Sequence, residues 1–158
     1  MARKNRQVNT SPLWRFLFVV YCAVMLWLLF GRSQGWNNNV PYHQLLANNI
    51  NLTPLLTIRN YYQVVTQGPE NPYFIHCVIN LLGNVLLFIP AGWLLPKVFP
   101  FQRNFFRFLV TCTGLIFLVE AVQLFTLLGS FDIDDLILNL IGMVFGFIVY
   151  HIGAVCKQ

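Results

Sequence analysis

Charge is scarce in this sequence. Asp, Glu, Lys and Arg make up 9% of its 158 residues, against about 25% in an ordinary soluble domain. So few charges cannot cover a chain of this size for water, and with 57% hydrophobic residues lipid is the solvent it fits. Acids are scarcer than bases, five against ten, yet the surplus of bases forms no patch. Arg3, Lys4 and Arg6 precede the first apolar run, and Lys97, Arg103 and Arg107 flank a short link between two others. Membrane topology distributes bases in this way; a nucleic-acid-binding face clusters them, so nucleic acid is excluded as a partner. Cysteine is limited to Cys22, Cys77, Cys112 and Cys156, each in or at the end of a different apolar run and none at C-x2-C spacing. They read as small packing residues, with no disulfide, zinc or redox role. The sequence has no G-x-S-x-G elbow, and its candidate hydroxyls Thr126 and Ser130 have no neighbouring His, which leaves nucleophilic catalysis without support. No cofactor motif and no internal repeat is present.

What the sequence has is long apolar runs. Four of them, about 13–30, 75–96, 105–128 and 136–155, match the ~17–25 residues needed to cross a hydrocarbon core of about 30 Å. The first is interrupted only by Arg15, near the end where a long side chain can snorkel. It is longer than the ~7–15-residue apolar core of a signal peptide, and the Gly31-Arg32-Ser33-Gln34 that follows is no cleavage site, so it reads as an uncleaved helix. The expected fold is all-α: a four-transmembrane-helix bundle forming a single membrane domain over 1–158. The N-terminus, the 97–107 link and Lys157 are basic, while the 129–135 link carries three aspartates and no base. Both termini are therefore expected in the cytoplasm, with the 31–74 loop and the acidic link outside. That loop mixes Tyr42, Leu45, Leu46, Ile50, Leu55, Ile58, Tyr61 and Tyr62 with asparagines, punctuated by Pro41 and Pro54. It reads as a short interfacial helical segment on the outer leaflet, in preference to a separate ligand-binding module.

Depth then organises the polar residues. At 1.5 Å per residue, Asn80 lies roughly 8 Å and Asn84 roughly 14 Å below the outer end of the second span, with Gln123 roughly 8 Å and Glu120 roughly 12 Å below that of the third. Asn139 lies roughly 6 Å into the fourth. His76, Asn80 and Asn84 share one face, Glu120 and Gln123 another, and Asp135, Asn139, Gly142 and Gly146 a third. Gly142 and Gly146 form a GxxxG, which seats one helix closely against another, so the polar stripe beside them should face the bundle interior. A carboxyl at the depth of Glu120 is expensive. It is neutral, or faces water, or meets a cation. Two readings stay open: a neutral strut hydrogen-bonded to Asn80, Asn84 or Asn139, and a functional pocket. In the link, Asp132 suits an N-cap, and Asp134 and Asp135 suit the positive end of the following helix dipole, with Asp135 also on the polar stripe. A divalent cation at Glu120, Asp132 and Asp135 is a minor alternative, since oxygen donors suit Ca²⁺ or Mg²⁺ but D-x-D-D lacks the rest of an EF-hand loop.

These residues resemble the VanZ-like family. Three segments carry the likeness: Asn80-Leu-Leu-Gly83-Asn84-Val-Leu-Leu-Phe88-Ile-Pro90-Ala-Gly92, Glu120-Ala-Val-Gln123, and Phe131-Asp132-Ile-Asp134-Asp135-Leu-Ile-Leu-Asn139-Leu-Ile-Gly142 followed by Gly146. The likeness extends over about residues 50–150, including Asn51-Leu52-Thr53-Pro54. It implies a four-helix protein of the bacterial cytoplasmic membrane. The family's namesake is associated with low-level resistance to teicoplanin, a lipid-tailed glycopeptide acting at the outer membrane face. Many members carry an arginine near the start of the acidic link; Leu128-Gly129-Ser130 has none, so no cation partner for Glu120 comes from there. The implied function is a non-enzymatic envelope factor whose partners are membrane lipids and a lipoglycopeptide or lipid-linked wall precursor. The alternative is an intramembrane enzyme acting on a lipid-linked substrate through Glu120 and Asp135. A transporter fits less well, because no inverted repeat or broken helix pair is visible. Oligomeric state is not readable.

Overall fold

The computed structural model describes residues 11–31 and 40–155; Arg3, Lys4, Arg6, Arg32, Cys156 and Lys157 lie outside the described residues. In chain order the elements are α1 (Pro12–Phe30), α2 (Tyr42–Asn48), β1 (Ile50–Asn51), α3 (Leu56–Thr66), α4 (Phe74–Val98), a 3₁₀ turn (Pro100–Arg103), α5 (Phe105–Thr126), β2 (Phe131–Asp132) and α6 (Ile133–Val155). Helices α1, α4, α5 and α6 are long and apolar enough to span a membrane. Their outward faces are Leu, Ile, Val and Phe, as lipid requires.

Helices α4 and α6 are the closest-packed pair, and glycine makes this possible. A Cβ on Gly142 would collide with the Val85 carbonyl group, one on Gly146 with that of Ile89, and one on Gly92 with that of Met143. The two backbones thus approach through small residues on both sides, the packing mode that lipid-embedded helices rely on. Helix α5 closes the core with a stripe at four-residue spacing, Phe108, Cys112, Ile116 and Glu120, all buried. The ring of Phe108 lies 4.5 Å from that of Phe147 on α6. Pro90 leaves a gap in the backbone ladder of α4, and in the turn before it the Leu87 carbonyl accepts the Tyr21 hydroxyl at 2.8 Å, which ties α1 to α4.

Helix ends differ from the sequence expectation by more than one residue at three places, the first being α4, which runs through Pro96 to Val98. Helix α6 begins at Ile133, a turn earlier than 136, because the Asp132 carboxylate accepts the Asp134 N–H at 2.8 Å and caps it. Helix α5 stops at Thr126, short of 128, and Leu127 follows in the left-handed region at φ 54. The Leu128 N–H then returns to the Gln123 carbonyl at 3.0 Å, a Schellman closure normally built on glycine. Burial of Leu127 offsets the strain.

The segment between α1 and α4 does contain short helices, α2 and α3, but also an unforeseen two-residue parallel strand pair. Ile50 pairs with Phe131 and Asn51 with Asp132. This pairing fastens the segment to the acidic link.

Candidate functional site

The three aspartates of the link do three different things. Asp132, at the β2–α6 junction, caps α6 with one oxygen and accepts Thr57 Oγ1 at 2.6 Å with the other. Asn51 Nδ2 reaches the same oxygen at 3.3 Å and Thr57 Oγ1 at 2.9 Å, so β1, α3 and β2 meet at one buried carboxylate. Asp134 is fully buried. Its oxygens leave their own helix and accept the Leu55 N–H at 2.6 Å and the Ile58 N–H at 3.1 Å. It is therefore the cap of α3, beyond the dipole role expected for it in α6. The cap also holds Leu55 at φ 64, a left-handed conformation that a branched side chain adopts only under constraint. Asp135, about 100° further round α6, turns to α4 and accepts Asn84 Nδ2.

Asn84 also donates to Asn80 Oδ1 at 3.4 Å, which confirms the shared face of that pair. Asn139 is buried on α6, and its Oδ1 has no hydrogen-bond donor among the described residues. Glu120 is buried and lies within electrostatic reach of Asp135 and Asp132.

Two expected members stand apart. Gln123 turns away to α1, where Nε2 donates to the Leu29 carbonyl at 3.0 Å; α1 is thereby tied to α5. His76 is solvent- or headgroup-exposed and packs edge-on against the Tyr61 ring, 6.1 Å between centroids. Tyr61, with Asn51 and Thr57, is a residue that pattern reading missed. The available signal was the i, i+4 spacing of Thr57 and Tyr61, which turns both to the acidic side of α3. Burial, reinforced by Asp135, Cys77 and Asp132 in that order, holds the Tyr61 phenol above its ordinary value of 10.0.

No group of three His, Cys, Asp or Glu among the described residues is arranged to hold a metal ion, and the set Glu120, Asp132 and Asp135 is no exception. The arrangement instead joins an acceptor without a donor, Asn139 Oδ1, and the buried carboxyls with an Asn84 amide fixed by its own bonds. Hydroxyl- or amine-bearing groups suit it.

A family model described as VanZ/LLP1 matches residues 18–154. The chain belongs to the VanZ/LLP1 family. The match contains every residue of the site, from Asn51 on the covering segment to Asn139 on α6. No curated protein and no solved structure matches the chain.

Proposed function

We propose that this VanZ/LLP1-family protein engages the polar headgroup of an amphiphile at the outer leaflet of the bacterial cytoplasmic membrane, and so lowers susceptibility to lipoglycopeptides such as teicoplanin. The observation that supports this most is the gathering of Asn80, Asn84, Glu120, Asp135 and Asn139 at one end of four spans, beneath a segment fastened there by Asp132 and Asp134. A purely structural bundle has no need of a buried carboxyl and an unpartnered amide oxygen at membrane depth, each of which lipid penalises. Charge supports the orientation proposed here: Lys97, Arg103 and Arg107 lie at the opposite end of the spans from the acidic link, which favours an outer position for the link and cytoplasmic termini.

A second reading, an intramembrane enzyme acting on a lipid-linked substrate, draws on the proximity of Glu120 to Asp135. Two coupled carboxyls can divide acid and base roles. One experiment tests both. The gene is deleted and restored as wild type, Glu120→Gln or Asp135→Asn at matched membrane levels, and teicoplanin susceptibility is measured. Headgroup binding predicts that deletion sensitises the cell and that Asp135→Asn, which keeps one acceptor, restores part of the protection. An enzyme predicts that neither variant restores any. Unchanged susceptibility on deletion refutes the resistance reading, and full restoration by both variants refutes any task for either carboxyl.

A further inference from the structure

Helix α1 is held to the other spans at both ends and stands away from α5 between them. At one end Lys97 Nζ lies 3.8 Å from the ring centre of Trp14 and 3.5 Å from that of Trp93. Those two rings meet edge to face at 5.2 Å, and Phe18 meets Phe99 at 5.5 Å. At the other end Gln123 grips the Leu29 carbonyl. Between these ties runs a slot of about 340 Å³, at the small end of the ~300–1,000 Å³ typical of ligand pockets. Its inner walls are the buried Met25, Phe88, Ile116 and Met143, and its rims are Leu26 on α1 and Leu118 on α5, both 58% exposed. The hydroxyl on the wall, Tyr21, is spent on Leu87, which leaves the lining dry.

An apolar slot of this size does not hold water. It lies within spans that hydropathy assigns to hydrocarbon and opens sideways there, so acyl chains are the molecules present to fill it. One wall also neighbours the polar site, because Ile116 on the wall and Glu120 are one turn apart on the same face of α5. We propose that the slot between α1 and α5 holds one acyl chain of a membrane amphiphile, which enters past Leu26 and Leu118. This gives the tail half of the molecule whose headgroup the reading above assigns to the polar site, and it rests on that reading for the head alone.

The test reads the tail directly. The full chain is reconstituted in phosphatidylglycerol vesicles doped with phosphatidylglycerol carrying a diazirine at the end of one acyl chain. After irradiation, adducts are mapped by peptide mass spectrometry. Adducts are expected on the buried Met25, Ile116 or Met143 as well as on the exposed Phe145 and Ile148 of α6. Leu118→Trp, which fills the rim, should abolish the buried set and leave the exposed set intact. Leu26→Trp does the same from the opposite rim should the first variant fail to fold. Unlabelled inner walls overturn the assignment, whether the slot is closed or filled by a helix of a second copy. So do inner-wall adducts that both Trp variants leave unchanged. Neither outcome depends on teicoplanin, so a labelled slot with susceptibility indifferent to both Glu120→Gln and Asp135→Asn would leave the slot standing and remove the headgroup reading.

Discussion

Replacing Asp134 with alanine should release α3 without unfolding the spans. The carboxylate is fully buried and accepts two backbone N–H groups, from Leu55 at 2.6 Å and from Ile58 at 3.1 Å. Hydrogen bonds to a charged acceptor contribute about 1.5–3 kcal/mol each. Water can reach part of the α3 backbone once it loosens, so the lower bound applies to each, and the pair sums to about 3 kcal/mol. That shifts the local opening equilibrium by about a hundredfold. Amide hydrogen exchange, resolved by peptide in nanodiscs, reads this directly. Exchange over 55–60 should accelerate by about that factor, while the α4 amides around 80–90, held by the Gly142 and Gly146 contacts, keep their protection. Asp134→Asn keeps one acceptor oxygen and should fall between wild type and alanine. Unchanged exchange at Leu55 and Ile58 in the alanine variant would refute the capping role. Equal acceleration in α4 would show that Asp134 supports the whole bundle and not α3 alone.

Two further outcomes follow from the same geometry. Gly146→Ala drives a methyl into the Ile89 carbonyl and to 2.9 Å from the Trp93 nitrogen; overpacking of this kind costs about 1–3 kcal/mol. The melting temperature in detergent should fall by several degrees, whereas Gly153→Ala, with nothing within 4 Å, should leave it unchanged or raise it. The Tyr61 phenol is held above 10.0, first by burial and then by Asp135. Its burial as the neutral form therefore stabilises fully below pH 10, and that contribution is lost as pH rises through the raised value. Ultraviolet titration of wild type minus Tyr61→Phe should show a phenolate appearing later than in a free tyrosine, and Asp135→Asn should move it earlier.

The spans were legible because lipid imposes one condition on every residue facing it, and a run such as Phe105–Thr126 can satisfy it in one way only. That α6 seats closely against another helix was legible from the GxxxG of Gly142 and Gly146; that the partner is α4 came only from the Val85 and Ile89 carbonyls those glycines meet. Helical rise set Asn80, Asn84, Glu120, Gln123 and Asn139 at similar depths; the structure joins Asn80, Asn84 and Asp135 by hydrogen bonds and turns Gln123 away. Partners were harder. Gln123 shares a helix face with Glu120 yet bonds a backbone carbonyl of α1, and no side-chain pattern announces a carbonyl. Leu55 and Leu127 occupy left-handed positions where glycine would have been the signal. The hold of Asp134 on Leu55 joins residues 79 apart in sequence, brought together where β1 pairs with β2.

The acidic link is better understood as a hub than as a metal loop, and the reason is angular. Successive residues on a helix point about 100° apart. Asp134 and Asp135, adjacent at the start of α6, therefore cannot serve one ligand together. One faces the backbone of α3 and the other the Asn84 amide of α4, while Asp132 lies before the helix and joins the strand pair. Three neighbouring carboxyls thus take three different sets of donors, two of them at α3 and one on α4. Two of them are consumed in holding the covering segment at the end of the spans. Variants at Asp134 consequently act through the position of α3, and variants at Asp132 through α3 and the capped start of α6 together, so a loss of function there reports first on structure. Only Asp135, with Glu120 beside it, can report on what the site binds, because its second oxygen has no structural duty in the cap, the strand pair or the α3 anchor.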